Sequence, residues 1–432
     1  MTPDDLRESR ERLEVFLAPL LAALGRAERR RWADFYVRGL LLEGGRKTAA
    51  GMARRYGGDE QSLQQLVSQS PWDWQAIREQ LARQVVAELG DRRCGWLVDD
   101  TGFPKQGRHS VGVARQYSGT LGKVGNCQVG VSLNFATSDG CVPLDFALYL
   151  PEEWTQDPAR CERAGIPLPV QHQTKWELAL EMIDRARAWG IPQGVVGADA
   201  GYGAVQAFRQ ALTARGLAYT VGIAATMGVW RSEVVPKPPP YQGRGRPRQR
   251  PLTLPTPQSV AQVARALPSD AWQAVTWREG SKGPMRSRFA AVRAQPAGGH
   301  VHGKVREGLQ WLLIEWPRDA AEPTKYWLST LPEDTPLRDL VWWAKLRWWI
   351  EQNYLQLKEE LGLDHFEGRT WPGWHRHVTL TMIAFDFLVT ETVRGKKNFW
   401  VDPPTTPAGD PADADSPARL LPFVPTTDAG GH

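Results

Sequence analysis

Residues 95–150 constrain the fold more than any other part of the chain, because their hydrophobicity alternates with a period of two. QVGVSLNFAT and CVPLDFALYL both alternate apolar residues with others, and Ser138-Asp139-Gly140 separates them. An Asp-Gly turn between two alternating runs indicates a β-hairpin. With the apolar run GWLVDD at residues 95–100, the pattern predicts three consecutive antiparallel strands, the first of which ends in acidic residues.

After residue 150 the pattern changes to helices that alternate with strands. A helix is predicted at about 174–189, a buried strand in QGVVGADA, a helix near 204–215 and a strand in AYTVGI. The order β-β-β-α-β-α-β is typical of an RNase H-like mixed sheet covered by helices. Acids end the first and fourth strands, which are adjacent in that fold. The predicted fold class is therefore α/β, with an RNase H-like core.

Residues 1–88 have helical periodicity and are predicted to form an N-terminal helical domain. Two short helices joined by Gly57-Gly58-Asp59, with Thr48 as a cap, have the shape of a helix-turn-helix unit. Arg46 and Lys47 are therefore candidate contacts to DNA phosphates. An ordinary helical hairpin with solvated charges is the alternative interpretation.

The remaining boundaries follow from pattern and composition. Residues 89–225 are predicted to hold the first part of the core, and short strand-like runs predict a β-rich insertion at 226–330. Helical periodicity returns over 336–363 and 376–392, so residues 331–395 are expected to complete the core. Residues 396–432 are rich in proline and are predicted to be disordered.

Bulk properties exclude several classes of protein. The chain has 432 residues, 42% of them apolar, and a net charge of +5, which fits a polyanionic partner without requiring one. Its four cysteines form no C-x-x-C pair, so neither a zinc motif nor a disulfide framework is predicted, and a reducing cytoplasm is the simplest compartment. No apolar h-region or long apolar run occurs, so no signal peptide and no membrane span are expected.

Three acidic positions are candidate metal ligands. Asp100 (or its neighbour Asp99) and Asp199 lie at predicted strand ends, and Glu351 lies on a predicted long helix. Two-metal cleavage of a phosphodiester needs a few carboxylates around metals that lie roughly 4 Å apart. Because Mg²⁺ prefers oxygen ligands and keeps several waters, three carboxylates suffice for two Mg²⁺ ions, and Mn²⁺ is expected to substitute.

The helix that carries Glu351 also carries two cations on the same edge. At 100° per residue, Arg347, Glu351 and Lys358 fall within about 40° of one another. A carboxylate between two cations indicates a metal ligand with phosphate-binding neighbours. For this helix alone a surface salt bridge is the simpler interpretation, but the acids on the first and fourth strands favour the site.

Four stretches have an order and spacing typical of a known group: VDDTGFPKQG, ARQYSGTLGKVGNCQVGVSL, GADAGYG and RWWIEQNYLQLKEELGLDHFEGRTWPGWHRH. They resemble the IS701 family of transposases, within the wider IS4-like DDE transposases, over most of residues 35–390. The resemblance implies an RNase H-like catalytic core, a β-rich insertion between the second and third acids, and cut-and-paste movement of a DNA element. It also implies DNA ends as partners, which a dimer is expected to bring together in a synaptic complex.

IS4-like enzymes carry the pattern Y-x2-R-x3-E-x6-K around the third acid. Arg347, Glu351 and Lys358 match it, whereas Ala344 occupies the tyrosine position, so hairpin formation at the DNA ends stays open. The choice between Asp99 and Asp100 also stays open, because neighbours on a strand point to opposite faces. Asp100 is favoured because it lies directly before Thr101.

Several other cations are candidate contacts to DNA. Each phosphate contact adds salt-dependent affinity, and solvated loop charge is the alternative interpretation. These candidates lie in glycine-rich loops near the first acid and in the segment after the third acid: Lys105, Arg108, Lys123, His365 and Arg369.

The leading hypothesis is a transposase that cuts the ends of an insertion sequence and joins them to target DNA, acting in the cytoplasm at the nucleoid. A second hypothesis is a catalytically silent, domesticated DNA-binding or regulatory protein. A third is a host RNase H-like nuclease that acts on structured DNA without element ends. The presence of all three acids favours the first hypothesis.

Overall fold

The computed structural model describes residues 3–90, 93–234, 243, 254–280, 283–297 and 307–395. Most of the Pro- and Arg-rich loop before residue 254 and the whole predicted tail at 396–432 lie outside these residues. The described chain forms two compact units. Unit 1 takes residues 3–90, 93–94, 100–192 and 349–395. Unit 2 takes residues 95–99, 193–234, 243, 254–280, 283–297 and 307–348.

The helices of the described chain are α1 (Pro3–Ala22), α2 (Ala27–Leu41), α3 (Ala49–Tyr56), α4 (Glu60–Ser68), α5 (Trp74–Leu89), α6 (Glu152–Thr155), α7 (Pro158–Arg163), α8 (Lys175–Ala188), α9 (Ala200–Gly203), α10 (Gln206–Ala214), α11 (Val260–Arg265), α12 (Leu337–Lys345), α13 (Trp348–Glu359) and α14 (Trp371–Gly395). Its strands are β1 (Gly95–Pro104), β2 (Ala114–Ser118), β3 (Lys123–Ala136), β4 (Cys141–Leu148), β5 (Val195–Ala198), β6 (Tyr219–Ile223), β7 (Gly228–Trp230), β8 (Gln258–Ser259), β9 (Gln273–Gly280), β10 (Gly283–Pro296), β11 (Gln310–Trp316) and β12 (Lys325–Ser329). This content confirms the predicted α/β class.

Short polar side chains mark where the N-terminal helices begin. Thr48 accepts a hydrogen bond from the Gly51 amide at the start of α3, and Asp59 accepts one from the Ser62 amide at the start of α4. Such caps satisfy amides that have no partner inside the helix. Gly57 ends α3 with a φ of 75°, a conformation that glycine adopts without strain. The predicted pair of short helices is therefore confirmed.

The sheet of unit 1 contains the predicted hairpin and one strand that the pattern missed. β3 and β4 pair antiparallel, and the amide of Thr137 donates to the carbonyl of Gly140 across the predicted turn. β2 also pairs antiparallel with β3, along residues 123–127. β2 shows no apolar alternation, because both Arg115 and Tyr117 are exposed. Its existence depends on pairing with β3, which a local pattern does not report.

β1 does not end at the acids, and this part of the prediction is wrong. The strand continues through Asp99 and Asp100 to Pro104. β3 is its neighbour in the sheet, and the amide of Lys105 still donates to the carbonyl of Asn126 just beyond the strand. Pairing with β3 therefore extends β1 past the apolar run that marked it in the sequence.

In unit 2, strands from distant parts of the chain form one sheet in the order β1-β5-β6-β12-β11-β10-β7-β8. The β1–β5 and β5–β6 pairs are parallel, whereas β6–β12, β12–β11 and β11–β10 are antiparallel. Strands β7 to β12 lie within the range predicted for a β-rich insertion, and β12 and β11 extend the sheet that leads to Asp199. Buried side chains of this unit form one core cluster: Phe289, Leu313, Trp327, Leu331, Leu340, Val341 and Ala344.

Two helical segments depart from the predicted pattern. The periodicity over 336–363 predicted one helix, but Leu346 and Arg347 form a turn between α12 and α13. α14 is longer than predicted and is buried over most of its length. Within the described residues, no helix is long and apolar enough to cross a membrane. All four cysteines are free thiols and buried.

Candidate active site

The strand register of unit 2 places two acids beside each other. β1 and β5 are parallel, and their last paired residues are Val98 and Ala198. Asp99 and Asp199 each follow directly in the chain. Neighbouring strands lie about 4.8 Å apart, so these two residues occupy the same edge of the β1–β5 ladder. Two neighbouring carboxylates supply the oxygen ligands that hard divalent cations prefer.

Asp99 and Asp100 have different partners. Asp99 is 14% exposed and forms an ion pair with the guanidinium of Arg347, within unit 2. Asp100 is 25% exposed and accepts a hydrogen bond at 3.1 Å from Nζ of Lys175, the first residue of α8, within unit 1. Because side chains alternate along a strand, the two carboxylates point to opposite faces of β1.

Within unit 1, α13 contacts β1 and β3 through one side of the helix. The hydroxyls of Tyr354 and Ser132 lie 2.7 Å apart, and the ammonium of Lys358 lies 5.5 Å from the ring centroid of Phe103. Glu351, which is exposed, precedes the two helix residues by three and seven positions and therefore shares their side of α13.

The ammonium of Lys358 is hydrogen-bonded to other groups of the protein. It donates to the carbonyl of Gly102 at 2.8 Å and to Oγ1 of Thr120 at 2.9 Å. Burial lowers the pKa of Lys358 to about 8. In this conformation Lys358 therefore joins α13 to β1 and to the turn after β2.

The turn that carries Asp199 is packed tightly within unit 2. The Asp199 side chain accepts hydrogen bonds from the amides of Gly201 and Tyr202, at 2.9 and 3.2 Å. A Cβ added at Gly203 would lie 1.9 Å from the carbonyl oxygen of Gly222 in β6. The turn therefore approaches β6 so closely that only glycine fits at its end.

A buried ion pair supports the same turn and was missed by sequence reasoning. Arg209 in α10 is fully buried, and its guanidinium donates to Glu307 at 2.8 and 2.7 Å. The same guanidinium donates to the carbonyl of Gly203. No local signal marks this pair, because its members lie 98 residues apart. An arginine among the apolar positions of a predicted helix was the one available hint.

Two predicted DNA contacts in the loop between α2 and α3, Arg46 and Lys47, behave differently. Lys47 is 2% exposed, and its ammonium donates to the carbonyl of Leu42. Arg46 is mostly exposed and pairs with Glu367 at 3.1 Å. The buried Lys47 is therefore inaccessible to DNA in this conformation, while Arg46 is accessible. Direct DNA contact by this part of the chain stays a prediction.

The other predicted DNA contacts fall into an exposed set and a partly buried set. Lys105 donates from Nζ to the carbonyl of Phe366 at 2.7 Å, and burial lowers its pKa. His365 accepts a hydrogen bond at Nδ1 from the amide of Lys47, and burial also lowers its pKa. The exposed set can reach a ligand without rearrangement: Arg108, Lys123 and Arg369.

The chemistry of these acids fits a divalent metal, although no complete ligand cluster is preformed in the described part of the chain. No group of three or more His, Cys, Asp or Glu residues there is arranged to hold a metal ion. Asp99 and Asp100 instead pair with cations. A metal at the β1–β5 edge would replace the charge that Arg347 now supplies to Asp99.

Two comparisons with known proteins bear on this arrangement. The family model described as "DDE superfamily endonuclease" matches residues 19–284. A protein from Microchaete diplosiphon described as "Probable transposase for insertion sequence element IS701" is 27% identical over 330 residues. The match covers 76% of this chain and 74% of that protein.

Proposed function

The chain belongs to the DDE superfamily endonucleases, and on that premise we propose that it is a transposase that cuts the ends of an insertion sequence and joins them to target DNA. The IS701 relative supports this assignment and confirms the resemblance seen in the sequence. The observation that carries the proposal is the neighbouring position of Asp99 and Asp199 at the edge of two parallel strands, within the residues that the family model matches.

The geometry favours Asp99 over Asp100 as the first acid of the proposed site. Asp99 follows a residue that pairs with the residue before Asp199, whereas Asp100 lies one position farther along and points to the opposite face. Asp100 stays the alternative ligand, and its bond to Lys175 suits a supporting role.

We propose that Asp99, Asp199 and Glu351 hold two Mg²⁺ ions, for which Mn²⁺ substitutes. When bound, the two metals activate the attacking oxygen and stabilise the leaving oxygen of the phosphodiester. The protein groups keep the acids in place: the Asp199 carboxylate is fixed by two amides, and the Asp199 turn is held by Arg209.

Two cations have proposed roles at the DNA strand. Arg347 neutralises Asp99 in the present conformation and presents a guanidinium that can hold a phosphate in two hydrogen bonds. Lys358 has a similar predicted phosphate role, but its present bonds to Gly102 and Thr120 support a positioning role as well. Transposition requires two ends to meet, so the active form on DNA is proposed to be a dimer.

The test is cleavage of a supercoiled plasmid that carries the DNA flanking the gene for this chain, with Mg²⁺. The unaltered chain should nick and excise the segment, while Glu351→Gln should bind the same DNA without cutting it. Glu162→Gln, an exposed acid on α7, is the matched control and should cut normally. Binding without cleavage by every form, under both Mg²⁺ and Mn²⁺, would instead indicate a silent DNA-binding protein. Cleavage independent of the flanking sequence would indicate a host nuclease.

A further inference from the structure

The outer face of the β2–β3 hairpin exposes apolar side chains that no other part of the described chain covers. Tyr117 is 62% exposed and Val124 is 52% exposed. They are direct cross-strand partners in the antiparallel ladder, so they form one continuous patch. Exposed aromatic surface of this kind is typical of interaction sites.

The opposite side of the same hairpin is packed, which fixes how the patch is presented. Ser118 is buried, and the Gln116 side chain donates to the carbonyl of Cys127 at 2.9 Å. At the base of the hairpin, Asn126 donates to the carbonyls of Lys105 and Gly107, at 2.6 and 2.9 Å. These contacts hold the hairpin in place, and we call its exposed face, with Tyr117 and Val124, the platform.

Two cations flank the patch. Arg115 lies two residues before Tyr117 on the same face of β2. Lys123, the cross-strand partner of Ser118, is the first residue of β3, and its exposed side chain lies at the end of the ladder beside Val124. Both are exposed, and neither pairs with an acid in the described part of the chain. The platform thus combines an aromatic ring with positive charge, a combination that binds nucleic-acid strands through base stacking and phosphate contacts.

The tip of the hairpin is tied to the helix that carries Glu351. Lys358 donates to Thr120 in the turn and to Gly102 in β1, and the Thr120 hydroxyl also donates to Gly102 at 3.3 Å. The platform therefore has a fixed position relative to α13 within unit 1. A DNA strand that reaches Glu351 would find this platform at a defined distance.

We propose that this hairpin is a DNA-end platform, on which Tyr117 stacks against an unpaired or terminal base while Arg115 and Lys123 contact the flanking phosphates. The proposal rests on the DNA-cutting function proposed above and adds a contact that selects the end. A base inside a duplex is already stacked on both sides, whereas an unpaired base has a free face for the tyrosine ring. Two unpaired cations favour a polyanion over a protein surface as the occupant.

The test measures binding to two oligonucleotides by fluorescence anisotropy, in the non-cutting Glu351→Gln background. One is a duplex of the flanking DNA with unpaired bases at its end, and the other is fully paired. Tyr117→Ala should weaken binding to the frayed duplex about tenfold and to the paired duplex much less. Tyr117→Phe should bind as tightly as the parent, because its ring still stacks.

The cations are tested by the salt dependence of the same binding. Arg115→Gln and Lys123→Gln should each lower the slope of log affinity against log salt by about 0.7 to 0.9. Arg163→Gln, an exposed cation on α7, is the charge-matched control and should leave the slope unchanged. Circular dichroism confirms that each variant is folded.

The outcomes separate the two proposals. If the parent binds DNA, and Tyr117→Ala binds both the frayed and the paired duplex as tightly as the parent does, the platform proposal is wrong. The proposed cutting function is then unaffected. An equal loss on both duplexes also overturns base stacking. If the parent binds neither duplex, the DNA-cutting function itself fails, and the platform with it.

Discussion

At the scale of single residues, burial of the Asp386 carboxylate in α14 lowers the free energy of unfolding. Both of its carboxylate oxygens are buried without a hydrogen-bond partner in the described part of the chain. Burial raises its pKa well above the ordinary value of 3.8. The folded state therefore keeps a proton that the unfolded state releases, so the free energy of unfolding falls as the pH rises above that value.

Replacing Asp386 tests this cost directly. Asp386→Leu should raise the free energy of unfolding by about 1–3 kcal/mol at pH 8, because it removes a buried polar group that lacks a partner. Asp386→Asn is the control that removes the titration while it keeps the shape. Urea denaturation between pH 5 and pH 8 should show a flatter pH dependence for both variants. A parent-like slope in the variants would place the pH dependence elsewhere.

The two neighbouring acids of β1 should differ in their effect on cleavage. Asp99→Asn is expected to lower the cleavage rate by more than about a hundredfold, beyond the loss typical of a residue outside the ligand shell. Asp100→Asn should lower it by about tenfold or less, because Asp100 pairs with Lys175 on the other face. Initial rates over a range of Mn²⁺ concentrations measure both. A larger loss for Asp100→Asn would reverse the assignment.

At the scale of elements, the turn after β5 depends on the buried ion pair between Arg209 and Glu307, which are far apart in the chain. Removing one member alone, as in Glu307→Gln, should destabilise the chain by roughly 3–5 kcal/mol, because the buried arginine loses its partner. The double variant Arg209→Met/Glu307→Leu replaces both charges by apolar groups, which is often neutral for stability.

The double variant separates folding from function. Its melting temperature should return close to that of the parent, but its cleavage rate should stay low, because the carbonyl of Gly203 has lost its donor beside Asp199. The Mn²⁺-induced rise in melting temperature should also shrink, since bound ligand stabilises the folded state. Parent-like cleavage by the double variant would show that the pair serves stability alone.

At the scale of the whole molecule, the N-terminal helices of unit 1 complete the packing around α14. The Tyr36 hydroxyl lies 2.9 Å from Nδ1 of His377, and the buried Arg78 donates to Oγ1 of Thr379 at 2.8 Å. Arg78 also pairs with the buried Asp145 in β4 at 2.8 Å. The N-terminal helices therefore cover a side of α14 that carries both apolar and polar side chains.

Deletion of residues 1–88 should consequently destroy the cooperative folding of unit 1. The shortened chain would expose the buried side of α14 and leave Asp145 with one of its two arginine partners. Near-ultraviolet circular dichroism and thermal melting would show a loss of fixed tertiary packing. A soluble fragment with a sharp melting transition would instead show that the N-terminal helices are dispensable for folding.

Local sequence patterns determined much of the chain. The helices at 49–56, 60–68 and 175–188 and the β3–β4 hairpin follow from periodicity, caps and turn residues, which act over a few neighbouring positions. The spacing of acids and cations around Asp199 and Glu351 was also readable, as was the resemblance that the family match confirms.

Tertiary structure alone decided which distant residues meet. β2 exists because β3 offers it an edge, β12 extends the sheet beside β6, and Glu307 reaches Arg209 from far along the chain. These pairings depend on hydrogen bonds and burial between segments that no local period connects. For the same reason, the parallel register of β1 and β5 was needed to set Asp99 beside Asp199, because adjacent residues on a strand look alike in sequence but face opposite sides in the sheet.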